Sequence, residues 1–257
     1  MRRHFCAETE SRTVRGTIAA SHTSDCRPRE TSAESRSLPG ERSYLSSGHR
    51  YYDVSVPTLR TLAKAWLKEN GTIPDAKFLA VLDRLYRGKS YEEKVLASIL
   101  LSYHRTGPGT IGPKLLDGWL DHLVGWAEID SLCVCWSSAA RRSFAENEIL
   151  ADWSKWARFI RKLSRDKNIN KRRAALVFLT APLRYSEDKR LAALAFEVIE
   201  KLKSERHIII TKAVSWLLRS MVQHHKRGVA AYVRENRHSL PAIAVRETAR
   251  KITTGRK

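Results

Sequence analysis

From about Tyr44 to its end the chain repeats one pattern, in which apolar residues return every three or four positions. That is the period of a helix with one buried stripe, whereas a half-buried strand would alternate every second residue. The stretch "VPTLRTLAKAWLKENG" shows the design, with Leu59, Leu62, Ala63, Trp66 and Leu67 on one stripe. Pro57 stands near its start and Gly71 just past its end, the positions where a helix tolerates the one and favours the other. Similar segments are expected at about 74–87, 91–104, 111–124, 127–138, 147–163, 169–181, 188–203, 207–224, 226–237 and 241–252. "HIIITKAV" comes nearest to a strand pattern but runs into a strongly helical stretch. The fold class expected is therefore all-α. Ten or eleven helices with short breaks further suggest antiparallel pairs stacked as a HEAT-like α-solenoid, with a basic concave face.

Residues 1–40 are rich in Ser, Thr, Arg and Glu and lack this period, so they read as a disordered extension to a helical domain at 41–257. Their Arg and Ser content is faintly that of a transit peptide, but Glu8 and Glu10 oppose that reading. The net charge is +20. The first 50 residues hold nine Arg against six acids, so about +17 belongs to the remainder. Such a charge seeks a polyanion, either nucleic acid or an anionic surface. No apolar run is long enough to span a bilayer. Of the four cysteines, Cys133 and Cys135 form C-x-C within an apolar helical run and read as small core residues, without the spacing of a zinc site. His224 and His225 are adjacent and point to different faces, so no metal or other cofactor is expected.

Three stretches carry candidate chemistry. "GWAEID" places Trp126 and Asp130 about one helical turn apart. "NINKRRAALVFL" opens an apolar helix with Lys171, Arg172 and Arg173. "ITKAVSWLLRS" sets Lys212, Trp216 and Arg219 on one helix face, cation beside aromatic beside cation. Each has an ordinary explanation: a core Trp, a solvated Arg pair, a surface Asp. Together they suggest more. Cations hold phosphates and indoles meet flat groups. A carboxylate repels a DNA backbone, yet becomes useful where positive charge develops, as on the sugar during glycosidic cleavage.

The chain resembles the AlkD-type DNA alkylation repair family over roughly residues 41–252. The resemblance rests on "VSVPTLRTLAK", the Trp-x-x-x-Asp of "GWAEID", "RRAALVF", "KAVSWLLRS" and "LPAIAVRETARKI", found in the family's order. It implies excision of cationic N3- and N7-alkylpurines from duplex DNA by a monofunctional glycosylase that leaves the base stacked. Trp126 and Trp216 match the tryptophans that pack on the deoxyribose, Asp130 the carboxylate that stabilises the sugar cation and orients water, and Arg173 the cleft arginine. Tyr44 falls where the family has an aromatic residue. Lys171, Arg172, Lys212, Arg219 and Arg246 are the further DNA contacts expected. "SLCVCWSSAARRSFAEN" departs from the family's pattern, and the interval from Asp130 to Arg173 is longer than usual. The partner expected is duplex DNA carrying alkylated purines, met by a monomer in the cytoplasm, at the nucleoid and not at a membrane. Two rival readings remain: a non-catalytic HEAT-repeat scaffold for nucleic acid, and an adaptor whose basic groove takes an acidic helix.

Overall fold

The computed structural model describes residues 47–104, 110–138 and 149–255. Tyr44, the extension at 1–40 and much of the divergent "SLCVCWSSAARRSFAEN" stretch lie outside them. Among the described residues the chain is helical without any strand, apart from one isolated bridge between Arg50 and Ser90. The all-α expectation holds. No helix among them is long and apolar enough to cross a membrane. The chain divides into two compact units, one through Cys135 and one from Trp136 onward.

The first unit contains α1 (Val56–Glu69), α2 (Asp75–Tyr86), α3 (Tyr91–Tyr103), α4 (Pro113–Leu120) and most of α5 (Trp126–Ser138). Helices α1 and α2 both pack on α3. Ser55 caps α1 by accepting the Thr58 N–H, and Pro57 occupies its first turn. Helix α3 is central, and its residues from Tyr91 to Leu101 are all buried. That burial includes Glu92, Glu93 and Lys94, so each charge needs internal partners. Glu93 accepts the Lys89 and Ser90 N–H groups at 2.8 and 3.0 Å, completing a capping box with Ser90. Lys94 donates to the carbonyls of Tyr86 and Gly88, which would otherwise be left over at the end of α2. A Cβ on Gly88 would sit 2.3 Å from the Glu93 carboxylate, so only glycine allows this approach.

The second unit contains α6 (Trp153–Ser164), α7 (Ile169–Val177), α8 (Pro182–Tyr185), α9 (Lys189–Leu202), α10 (Ile208–Glu235) and α11 (Ala242–Thr254). Its core gathers Trp136 and Trp156 at 4.8 Å between ring centroids, with the Phe178 ring edge-on to Trp136 at 5.4 Å. Helix α10 packs on α7, α8, α9 and α11 and so organises the unit. The two segments expected at 207–224 and 226–237 join in this one helix, kinked at His225 (φ −123°, ψ 29°). Polar contacts gather at the kink. The His225 ring nitrogen Nε2 lies 3.2 Å from the Ser186 carbonyl, and His224 lies 3.4 Å from Glu187. Both rings thus tie the kinked turn to the loop after α8.

Candidate active site

Helix α5 begins at Trp126, directly after Gly125, whose φ of 80° lies in the left-handed region that favours glycine. Trp126 and Asp130 are both half-buried and one turn apart, as their spacing requires. Ala127, Glu128, Ile129, Leu132 and Cys133 are buried around the rest of the helix. The indole and the carboxylate therefore share the accessible side of an otherwise enclosed helix start.

Glu128 lies between them and has no solvent exposure. Its carboxylate accepts the Val124 N–H at 2.8 Å, the Ser47 hydroxyl, and a bond from His49 Nδ1 at 2.9 Å. It therefore secures an otherwise unpaired donor near the helix N-terminus and ties α5 to the segment before α1. Sequence reasoning did not single out Glu128. An acid in the first helical turn, three residues after a glycine, was the available signal; its partners some 80 positions earlier were not.

Trp216 lies in the second unit on α10, half-buried, and lines a groove of about 560 Å³. Arg184, Arg219, Lys226 and Lys251 line the same groove, together with Gln223. The residues flanking Trp216 are braced by Glu247 of α11. The Ser215 hydroxyl donates to Glu247 at 2.6 Å, and the Arg219 guanidinium pairs with it at 3.3 Å. Glu247, like Glu128, escaped sequence reasoning, because a lone acid in a basic helix signals nothing about a neighbour 32 positions away. Lys212 is exposed one turn before Trp216, but it does not line the groove.

The cluster that opens α7 is engaged within the unit. Arg173 is buried and its guanidinium donates to the Ile209 carbonyl in the first turn of α10. Arg172 grips Glu205 with two nitrogens, at 2.8 and 3.1 Å, and also donates to the carbonyls of Asp166 and Lys167. Lys171 is buried too. Arg246 lies on α11, exposed, in a different groove from the one at Trp216. Cys133 and Cys135 are free thiols, the first buried, and burial pushes the thiol of Cys135 up to about 11. Among the described residues, no cluster of three or more His, Cys, Asp or Glu side chains could hold a metal ion.

Comparison with known proteins adds two findings. The family model described as DNA alkylation repair enzyme matches residues 30–252. Among solved structures, a predicted DNA alkylation repair enzyme from Enterococcus faecalis matches with a TM-score of 0.65 at 18% identity, covering 84% of this chain and 94% of that one. At that identity the likeness speaks for the fold alone. A comparison with curated proteins finds no match.

Proposed function

The chain belongs to the DNA alkylation repair enzyme family, and we propose that it is a monofunctional glycosylase for cationic N3- and N7-alkylpurines in duplex DNA. The observation that carries this reading is the Trp126–Asp130 pair. A half-buried carboxylate stands beside an indole on a helix start tied down by the buried Glu128, in a chain of net charge +20. On a surface meant only to hold phosphates that carboxylate is a liability. Beside a sugar that gains positive charge it is an asset.

In the proposed reaction the bond from C1′ to the alkylated nitrogen breaks. Its electron pair returns to the purine and cancels the ring's positive charge, so the leaving base needs no further proton. The sugar left behind has oxocarbenium character, which the Asp130 carboxylate stabilises. Water adds at C1′ and gives its proton to Asp130, from which it passes to solvent. Trp126 packs against the deoxyribose, and Trp216 is proposed as an indole that meets the DNA from the groove that it lines in the second unit. A stacked base, untouched by a flipping pocket, and a HEAT-like stacking of the helix pairs belong to the same proposal.

The cations around Trp216 support a role in holding the backbone, and Lys212, exposed on the same helix, extends it. Arg173 and Arg172 take a supporting part in this reading. Their bonds to Ile209 and Glu205 brace the start of the helix that carries Trp216.

The decisive experiment measures free 7-methylguanine released from methylated duplex DNA, corrected for spontaneous depurination. Wild type should release it, and Asp130→Asn should lose nearly all release while binding DNA as well or better. Binding without release by the wild type, on this and on a 3-methyladenine substrate, would leave the non-catalytic scaffold standing instead.

A further inference from the structure

A second groove, of about 920 Å³, runs along α11 where it meets the second half of α10. Its α11 side is formed by Ala242, Val245, Arg246, Ala249, Ile252 and Thr253. These positions recur every three or four residues, so the groove follows one flank of the helix for about 16 Å at 1.5 Å per residue. Glu247 and Lys251, about two residues out of phase with this flank, serve the Trp216 side, and the two grooves meet only at Ile252 and Thr253, which line both. Val233 and Leu240 close the floor at 8% and 4% exposure, while Ala242 and Ala249 are exposed.

The rim is cationic. Arg234, Arg237, His238 and Arg246 line the groove and are all exposed, and none of the described lining residues is acidic. The Arg234 guanidinium lies 3.6 Å from Glu235, an exposed pair of little strength. An apolar trough several turns long, edged by arginines, matches the stripe of an amphipathic helix flanked by carboxylates.

We propose that this groove docks an amphipathic acidic helix of a partner protein. A second copy of this chain is a poor occupant, because each copy carries +20 and the rim offers no acid to receive another copy's cations. Duplex DNA would satisfy the arginines but would leave the aliphatic floor without a complement. The proposal does not rest on the glycosylase reading and survives its failure.

Fluorescence anisotropy with a labelled peptide tests it, using a leucine stripe flanked by glutamates and a scrambled peptide of identical composition. Two variants at exposed positions separate shape from charge: Ala249→Trp fills the trough without altering charge, and Arg237→Glu inverts part of the rim. Circular dichroism establishes that both remain folded. The patterned peptide should bind, the scrambled one should bind at least about tenfold more weakly, and each variant should weaken the patterned peptide by about tenfold. Ala249→Trp should leave duplex DNA affinity unchanged. Equal binding of both peptides, or indifference of the patterned peptide to Ala249→Trp, would reduce the effect to polyanion attraction and overturn the proposal. A parallel loss of DNA binding in Ala249→Trp would assign the groove to DNA and overturn it equally.

Discussion

Two buried glutamates show how differently a carboxylate can be held. Glu128 accepts donors from Ser47, His49 and the Val124 amide. Glu128→Gln keeps the size but not the charge, and it replaces one acceptor by a donor facing other donors. It should cost about 1–3 kcal/mol in denaturant unfolding. In the proposed enzyme it should also lower kcat more than it raises KM, because the helix start bearing Trp126 and Asp130 shifts. An unchanged denaturation midpoint would show that these bonds contribute nothing. Glu92 is the opposite case. It accepts the Tyr52 N–H at 2.7 Å, but its other oxygen is buried without a hydrogen-bond partner among the described residues, and burial raises its pKa. The folded state therefore holds this proton more tightly than the unfolded chain, whose glutamates titrate at about 4.3. Its contribution to stability is fully present below that value and is lost as pH rises through the folded-state pKa. Glu92→Gln should remove this loss, so the Tm of the variant relative to wild type should climb with pH. A constant difference across the pH series would refute the assignment.

At the scale of the element, helix ends and breaks determine what each stretch can present. Ser90 is almost wholly buried, accepts the Glu93 N–H at 3.2 Å and donates to the same residue's carboxylate at 3.0 Å. Ser90→Ala removes the cap from the most buried helix of the first unit and should cost about 1 kcal/mol when measured by urea unfolding. A gain in stability would mean that the capping box is ornamental. The kink of α10 was legible as an interruption near residue 225, where the apolar stripe changes phase. The contacts that hold the kinked turn were not legible, because Ser186 and Glu187 come from 39 and 37 positions earlier. The expected helix at 111–124 stops at Leu120, with Asp121 as its cap, and the chain turns through "DHLVG" before α5. Glycine with positive φ at the end of that turn needed the loop geometry to be recognised.

At the scale of the whole molecule, charge dominates. A net +20 implies that DNA affinity arises largely from displaced counterions, so the logarithm of the binding constant should fall linearly with the logarithm of salt concentration. The slope for duplex DNA should be steep and shared by alkylated and unmodified duplexes, since backbone contacts carry no lesion information. Arg184→Ala or Lys226→Ala should each flatten it by about one contact, or about 0.9 in slope, if the groove at Trp216 holds phosphates. Filter binding across a salt series checks both statements, and a slope insensitive to these substitutions would remove the groove from the DNA interface.

The sequence by itself determined that this protein is helical, because apolar periodicity is a local property visible within a few turns. It determined the strong cationic character, which is a sum over residues whatever their arrangement in space. It also set Trp126 a turn from Asp130 and Trp216 near Arg219, since spacing along one helix places side chains on one face. Only the tertiary structure decided how the cations divide. Arg173 and Arg172 bond to Ile209 and Glu205, partners 36 and 33 positions away, whereas Arg184, Arg219, Lys226 and Lys251 line the groove at Trp216. Only the tertiary structure revealed Glu128 as the anchor of α5, and Glu247 as the brace between α10 and α11. The physical reason is the same each time. A charge's work depends on which distant groups share its desolvated surroundings, and no pattern of neighbours along the chain records that.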